Sequence, residues 1–166
     1  MSQTPALLAR QLARLGDNAA LLHAPECAKG TLRGRLEQFV HDCFADTYGA
    51  DVHHFMPELL GLCQGGELQA SVGIRGGASG ALFLEHYLDQ PVGDILRQRT
   101  DLPVHREQVV EVGNLAALAP GAGRLLIIAL THYLATSGYT WVVFTGTPAP
   151  DLESYRSGPG RPCSPG

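Results

Sequence analysis

The amino-acid sequence predicts an α/β (α+β) protein in which a mixed central sheet is flanked by helices. The β-branched run from Val109 to Leu115 is typical of a buried strand. Leucines and isoleucines follow at helical spacing between Leu125 and Ala135, and Trp141 to Thr145 is again strand-like. Two strands joined through a helix are normally parallel. An earlier pair of apolar runs is joined by a glycine turn, which predicts antiparallel strands, so the sheet is expected to be mixed.

Size and composition are those of one globular domain. The chain has 166 residues, 45% of them hydrophobic and 17% charged. The net charge of −4, with twelve Lys and Arg residues that form no block, argues against a nucleic-acid partner. The N-terminus contains no long apolar run, so we expect no signal peptide, no transmembrane segment and a cytoplasmic location.

The cysteine and histidine patterns predict no metal site. The four cysteines form no CxxC pair and show no zinc-ligand spacing, which favours reduced thiols. The seven histidines form no HExxH motif, and His53-His54 is interpreted as a surface pair.

The amino-terminal third is predicted to contain two helices and one strand. Thr4-Pro5 is a suitable helix start, and leucines at helical spacing lead to Gly16. Ala19 to His23 is interpreted as a first strand. Thr31 to Tyr48 is the clearest helix, with one apolar stripe, an opposite face of mixed charge, and Gly49 at its end.

The middle of the chain predicts a hairpin, a third strand and a short helix. Leu59 to Cys63 and Leu68 to Ile74 are joined across Gly65-Gly66, which favours a hairpin. Ala81 to Leu84 is interpreted as the third strand. Pro91 then opens a short helix that ends before the β-branched run.

The segment Pro120-Gly121-Ala122-Gly123 is predicted to be a glycine loop before the apolar helix. Such a loop leaves the free N–H groups of the first helical turn at the carboxyl end of a strand, where a phosphate can bind. The alternative is a simple turn, since short connections need glycine. Arg124 follows the loop directly and adds a positive charge.

The carboxyl terminus differs from the rest. Residues 147–166 contain five of the eleven prolines and three glycines, a composition that builds no packed element. We therefore divide the chain into a single domain, 1–147, and a disordered tail, 148–166.

Several short segments carry a resemblance to a known family. FMPELLGL, SVGIR, LFLEHYLDQP, VVEVGNLA and WVVFTGT occur in this order. Together they resemble the bacterial thermostable hemolysin family over roughly residues 31–147. That family is similar to acyl-homoserine-lactone synthases and, more distantly, to GNAT-type N-acyltransferases. The resemblance implies a GNAT-like fold with acyl-CoA or acyl carrier protein as co-substrate, and no permanently bound cofactor.

The resemblance also has departures. The synthases carry Ser-Arg where this chain has Gly113-Asn114, and the glycine segment looks closer to the GNAT pyrophosphate loop. Relatives continue past the last strand into a helix and further strands. The C-terminal strands are therefore expected to be missing, as after a frameshift or a truncated gene model, and the chain is expected to be inactive or poorly folded alone. The unpaired edge of Trp141 to Phe144 then predicts aggregation or a homodimer.

Glu111 and Asn114 are the predicted catalytic residues. Glu111 is a lone carboxylate in an apolar strand, so it acts either as a base toward an amine or as a structural group paired with Arg75 or capping the glycine loop. Asn114 is predicted to point to the opposite face, where it either contacts a thioester carbonyl or bridges loops.

Further residues are assigned to binding. Arg75 is either a substrate-binding cation, the partner of Glu111, or an exposed strand end. Glu85 is assigned to the substrate side, with a helix start as its alternative. The predicted cofactor-binding residues are Leu115, Ala116, Gly121, Ala122, Gly123 and Arg124.

The predicted function is acyl transfer to a small-molecule amine by direct attack on the thioester. The sequence shows no cysteine–histidine arrangement for a covalent intermediate, and an acyl carrier protein is a possible protein partner. A membrane-lytic protein, as the family name suggests, would carry a basic amphipathic helix. The helix Thr31 to Tyr48 has a mixed-charge face instead. The third alternative is a fold that binds acyl-CoA without turnover.

Overall fold

The computed structural model describes residues 10–25 and 31–145, and these form one mixed sheet with helices on both faces. Within these residues the sheet has six strands in the order β1-β2-β3-β4-β5-β6. The strands are β1 Arg10–Arg14, β2 Ala19–Pro25, β3 Glu58–Gln64, β4 Glu67–Gly76, β5 Val109–Ala117 and β6 Trp141–Phe144. The α-helices are α1 Thr31–Tyr48, α2 Val92–Thr100 and α3 Pro120–Thr136. Short 3₁₀ turns occur at Gly77–Ser79, Phe83–Tyr87 and Arg106–Gln108.

The predicted mixed sheet is confirmed. Strands β1 to β5 pair antiparallel, each with the next, and β5 and β6 pair parallel because α3 carries the chain back between them. The hairpin turn at Gly65 and Gly66 uses positive φ angles of 59° and 83°, which glycine adopts without strain.

One face of the sheet packs against α3. Its core consists of alternate strand residues such as Leu60, Leu62, Val72 and Val110, together with the buried stripe of α3 around Leu126. We call this side the α3 face. Sequence periodicity predicted this helix and both flanking strands, and the packing confirms them.

The opposite side, which we call the α1 face, is covered by two units. Helix α1 packs over β2 and β3, where Leu36 lies against Gly61 so closely that a Cβ there would be 2.5 Å from the Leu36 Cδ2. The segment 77–108 covers the other end, where Leu82, Val92 and Val104 bury Val109. On this face the sheet carries the polar residues Arg75, Glu111 and Asn114.

The predicted amino-terminal helix is wrong in the part the structure describes. Arg10–Arg14 forms the edge strand β1, which pairs antiparallel with β2 across a turn at Gly16, whose φ is 74°. Leu12 and Leu15 pack against the α3-face core from this hairpin. The hairpin partly buries these leucines, whose spacing suggested a helix, so tertiary packing overrides the local helical spacing. Thr4-Pro5 lies outside the described residues.

The predicted third strand at Ala81 to Leu84 is also wrong. Leu82 is buried, but the chain enters the 3₁₀ turn at Phe83. The N–H groups of Phe83 and Leu84 bind a carboxylate rather than a neighbouring strand, which explains why an apolar run of strand-like character joins no sheet.

The predicted glycine loop is a helical turn. Helix α3 begins at Pro120, preceded by Ala119 in an extended conformation, so Gly121 and Gly123 belong to the first turn. Proline at the first helical position needs no N–H partner and fixes φ, which lets the helix start before the glycines. The helix ends, as predicted, at Ser137 and Gly138.

Candidate functional site

The carboxyl-terminal half of β5 has an open side. The parallel pairing of β5 with β6 ends at the pair Val112–Phe144, whereas β5 continues to Ala117. On its other side β5 stays paired with β4 as far as Ala117, which lies opposite Ala70. The backbone groups of residues 113–117 on the β6 side therefore have no strand partner within residues 10–25 and 31–145.

A β-bulge at Asn114 changes the course of β5 at this point. Asn114 has φ of 50°, a left-handed conformation that is uncommon for a residue with a side chain. The register with β4 shifts here, between Ser71 and Gly73. Bulges redirect side chains and backbone groups, and they occur often next to functional sites.

The bulge brings the Asn114 side chain onto the α1 face. Its Oδ1 accepts a hydrogen bond from the N–H of Met56 at 2.8 Å, and its Nδ2 donates to the C=O of His54 at 3.3 Å. The predicted orientation away from Glu111 is therefore wrong, because the bulge interrupts the strand alternation. In this structure Asn114 bridges loops, the second of its two predicted roles.

The start of α3 lies next to the open end of β5. The first-turn N–H groups of Gly121 and Ala122 have no intrahelical acceptor, whereas the N–H of Gly123 donates to the C=O of Ala119 at 3.1 Å. Gly121 and Arg124 are exposed, and a Cβ at Gly121 would have open space around it. A Cβ at Gly123 would lie 3.4 Å from that of Ala117, so this glycine lets helix and strand pack closely.

Glu111 is fully buried and holds the 3₁₀ turn on the α1 face. Its Oε2 accepts the N–H of Phe83 at 2.9 Å and its Oε1 accepts the N–H of Leu84 at 2.7 Å. The free N–H groups at the start of a helical turn form a favourable site for an anion. The carboxylate is thus stabilised by backbone dipoles, and it caps this turn rather than the start of α3.

Arg75 lies directly opposite Glu111 in the antiparallel pairing of β4 and β5, on the same face. The predicted ion pair is absent: within the described residues no salt bridge joins the two side chains. Arg75 is half-buried, and its guanidinium donates no hydrogen bond to any group in the described part of the chain. Its donors are available to a ligand.

Glu85 belongs to an internal polar network. Its Oε1 accepts the N–H of Leu82 at 2.9 Å, and its Oε2 accepts the N–H of Val92 at 3.0 Å, at the start of α2. Arg106 binds both oxygens and also the C=O of Gly80. The Arg106 guanidinium, with these backbone donors, lowers the pKa of Glu85 to about 2. The structure places Glu85 as a cap, the alternative that the sequence left open.

Two surface cavities lie where α1 passes the end of the sheet. Leu115 and Ala116, predicted to bind the cofactor, line a cavity of about 100 Å³ with Cys43 and Tyr48 of α1. A larger cavity of about 370 Å³ lies beside it, between α1 and Leu118. Burial raises the pKa of the Cys43 thiol, so this cysteine is kept in its protonated, weakly nucleophilic form.

Arg33 is a structural residue on the mixed-charge face of α1, which the sequence predicted to lie opposite the apolar stripe. It is 6% exposed, and its guanidinium donates to the carbonyls of Ala24, Met56 and Pro57 and to the carboxylate of Glu37. It ties α1 to the chain that precedes β3. The spacing of Arg33 and Glu37, one helical turn apart, is the signal in the sequence for such a pair.

A second group that the sequence did not predict joins α1 to the following loop. His41 Nε2 lies 2.9 Å from Asp51 Oδ1, and His53 Nε2 lies 2.8 Å from the same oxygen. Both members of the predicted surface pair are exposed, but only His53 joins this cluster, whereas the carbonyl of His54 accepts a hydrogen bond from Asn114. Hydrogen bonding to Asp51 and Asp42 raises the pKa of His41.

The sheet order, the bulged strand and the helix that starts at its end define a GNAT-like fold. The crystal structure of the acyl-homoserine-lactone synthase LasI is similar, with a TM-score of 0.53 and 13% sequence identity. The likeness covers 78% of this chain and 72% of that chain. At this identity it shows the fold and does not transfer an activity.

The sequence profile of the thermostable hemolysin family matches residues 28–153, so the chain belongs to that family. This confirms the predicted family, and the match extends beyond both limits of the expected 31–147. A search of curated proteins found no match. Among the described residues, no helix has the length and apolar character that crossing a membrane requires.

Proposed function

We propose that this protein binds an acyl thioester and transfers the acyl group to a small-molecule amine. The observation that carries the proposal is the open side of β5, which continues to Ala117 after its pairing with β6 has ended at Val112. Exposed backbone N–H and C=O groups bind extended ligands through strand-like hydrogen bonds. The pantetheine arm shared by coenzyme A and acyl carrier protein is an extended chain with amide groups that suit such bonding.

The start of α3 supports a phosphate site for the same ligand. The free N–H groups of Gly121 and Ala122 and the positive end of the helix dipole favour an anion, and Arg124 adds a charged donor. A thioester carrier laid along residues 113–117 would pass Leu115 and Ala116 and reach this turn. The close packing at Gly123 keeps the helix start next to the strand end.

Arg75 is proposed as the acceptor-side cation. Its guanidinium lies on the α1 face beside Glu111 and has no partner in the described residues, so it is free to bind a carboxylate or phosphate of the incoming amine substrate. Glu85 supports this side indirectly, because it holds the 3₁₀ turn and α2 in place through Leu82 and Val92.

Transfer is proposed to occur by direct attack of the amine on the thioester. Burial raises the pKa of both Cys43 and Cys63, the two cysteines in the described residues, which disfavours a thiolate nucleophile. We also propose that Glu111 is the general base that takes the proton from the attacking amine. Each of its oxygens accepts one backbone N–H, which leaves a second lone pair on each oxygen as the acceptor for the amine proton.

The same observation favours a second candidate function, a fold that binds the thioester without turnover. In this candidate the fully buried Glu111, whose two oxygens each accept a backbone N–H, acts only as a structural group that holds the 3₁₀ turn. The two candidates share the site on β5 and α3, and they differ only in whether the bound acyl group is transferred to an amine.

Calorimetry and product analysis separate these candidates. Coenzyme A, acyl-CoA and acyl carrier protein are titrated into the full chain, and mixtures with amine acceptors are examined by mass spectrometry. Binding with an N-acyl product supports the transferase, and binding without product supports the second candidate. No binding of any carrier, together with leakage of dye from liposomes, would reject both in favour of the lysis that the family name describes.

A further inference from the structure

We infer that His41, Asp51 and His53 form a binding site for a divalent transition-metal ion, with Zn²⁺ as the best match. The three side chains converge from two elements: His41 from the middle of α1, and Asp51 and His53 from the loop that follows it. Their ligand atoms all lie within 4.8 Å of one another. The inference is independent of acyl transfer.

The distances fit one ion with small movements. Both Nε2 atoms already lie close to Asp51 Oδ1, at 2.9 Å for His41 and 2.8 Å for His53. Ligand atoms bound tetrahedrally to Zn²⁺ lie about 3.4 Å apart, given metal–ligand lengths of about 2.1 Å. Asp51 and His53 are exposed, so their side chains have the space to move apart by the required amount, about half an ångström.

The surroundings of His41 are those of a metal ligand. Its other ring nitrogen, Nδ1, lies 3.3 Å from the carboxylate of Asp42, and that carboxylate accepts a hydrogen bond of 2.7 Å from Gln38. Histidines that bind metals usually donate their second ring N–H to a carboxylate, which orients the ring and raises its basicity. Here the carboxylate is itself oriented by a third side chain.

The loop that supplies the other two ligands is held at both ends. Gly49, with φ of 62°, ends α1 just before Asp51. On the far side the loop is tied down at Met56, whose N–H binds Asn114 and whose C=O binds Arg33. A site with fixed flanks loses less conformational entropy when it binds an ion.

The donor set selects the class of metal. Two imidazoles and one carboxylate suit Zn²⁺ and its neighbours in the first transition row, whereas Mg²⁺ and Ca²⁺ prefer oxygen donors. Water would complete the coordination at this exposed position. A bound ion would join α1 to the loop that lays Met56 over Gly73 and Gly113, and so would stiffen one wall of the α1 face.

Isothermal titration of Zn²⁺ into the untagged, metal-free full chain tests the inference. We expect one ion per chain, and a dissociation constant raised at least about tenfold in His41→Gln and in Asp51→Asn. The matched control is His54→Gln, which changes the neighbouring histidine and should leave binding unaltered. Thermal unfolding gives a second readout, because a ligand of the folded state raises the melting temperature.

The result that overturns the site is unaltered Zn²⁺ affinity in both ligand variants. That outcome would place the ion elsewhere, for example on cysteine thiols. An equal loss of affinity in His54→Gln and His41→Gln would also overturn it, since it would indicate unspecific binding by surface histidines. Circular dichroism confirms that each variant is folded before titration.

Discussion

At the scale of single residues, two buried or half-buried carboxylates organise the α1 face, and each uses both of its oxygens. Glu111 binds the start of the 3₁₀ turn, and Glu85 binds Arg106 and the start of α2. Together they fix the segment 77–108 over one end of the sheet. Arg75 lies between these groups and the bulge, and its guanidinium donates no hydrogen bond to any group in the described residues.

Replacement of Glu111 by glutamine separates its two proposed roles. The amide NH₂ would face a backbone N–H, so one buried hydrogen bond is lost at a cost of about 1–3 kcal/mol. We expect the melting temperature to fall by roughly 2–4 °C for each kcal/mol. Turnover reduced by about 10²-fold or more with unchanged ligand affinity would show a base. Wild-type stability and activity together would remove Glu111 from both roles.

The ion pair of Glu85 and Arg106 predicts a definite pH dependence. The pKa of Glu85 is lowered from 4.5 to about 2 in the folded protein. Its stabilising contribution is therefore present above pH 4.5 and is lost as the pH falls toward 2. Urea unfolding of wild type and Glu85→Gln should differ at pH 7 and converge across this window. Glu107→Gln, at an exposed neighbouring position, serves as the control, and a gap that stays constant with pH would contradict the assignment.

At the scale of elements, the start of α3 is the feature that a mutation tests most cleanly. Gly121→Asp places a negative charge at the first turn without touching other atoms, since its Cβ meets open space. An acidic residue there suits the helix dipole, so the fold should be retained while binding of coenzyme A or acyl carrier protein is lost. Gly121→Asn has the same shape without the charge and should retain most affinity. Equal binding by the two variants in calorimetry would show that this turn is structural only.

The packing of the 51–57 loop on the sheet gives a second prediction at this scale. A Cβ at Gly73 would lie 2.5 Å from the Met56 Cβ, so Gly73→Ala should cost about 1–3 kcal/mol through overpacking. Gly34, in α1, has open space around it, and Gly34→Ala should stabilise the protein by about 0.5–1 kcal/mol. Thermal unfolding of both variants measures the two opposite shifts. A neutral Gly73→Ala would mean that the loop is not packed as described.

At the scale of the whole molecule, β6 lies at the edge of the sheet formed by the described residues. Its exposed side chains alternate with half-buried ones, and Val142 and Phe144 are 49% and 69% exposed. Ile127 and Ile128 of α3 are also exposed. An uncharged apolar edge favours pairing with another chain, and a homodimer through β6 is our prediction. The tail predicted for 148–166 lies outside the described residues.

Light scattering after size exclusion tests the predicted association. The apparent molecular mass of the wild-type protein should rise with protein concentration. Phe144→Glu should shift the protein toward monomer, because it places a charge on the edge strand β6. Leu102→Glu changes another exposed apolar residue, far from β6 in the sequence, and should have no effect. A monomer at all concentrations in wild type would refute the β6 dimer.

Much of the architecture was readable from sequence because its signals are local. The apolar stripe of Thr31–Tyr48, the glycine pair of the hairpin and the strand–helix–strand order of β5, α3 and β6 all follow from side-chain periodicity and turn chemistry. Periodicity gave the wrong prediction at two places. Leu12 and Leu15 have helical spacing but pack on the core from a hairpin. Ala81 to Leu84 is apolar like a strand but leads into a 3₁₀ turn.

The sequence by itself determined the family, the mixed sheet and the burial of a carboxylate at Glu111. Only the tertiary structure decided what that carboxylate binds, since Phe83 and Leu84, whose N–H groups it accepts, lie 28 and 27 residues away in the sequence. The bulge that turns Asn114, the burial of Arg33 and the convergence of His41 with His53 also arise from contacts between distant segments. Periodicity reports which face of an element is apolar, but the partner of a polar group depends on how whole elements pack.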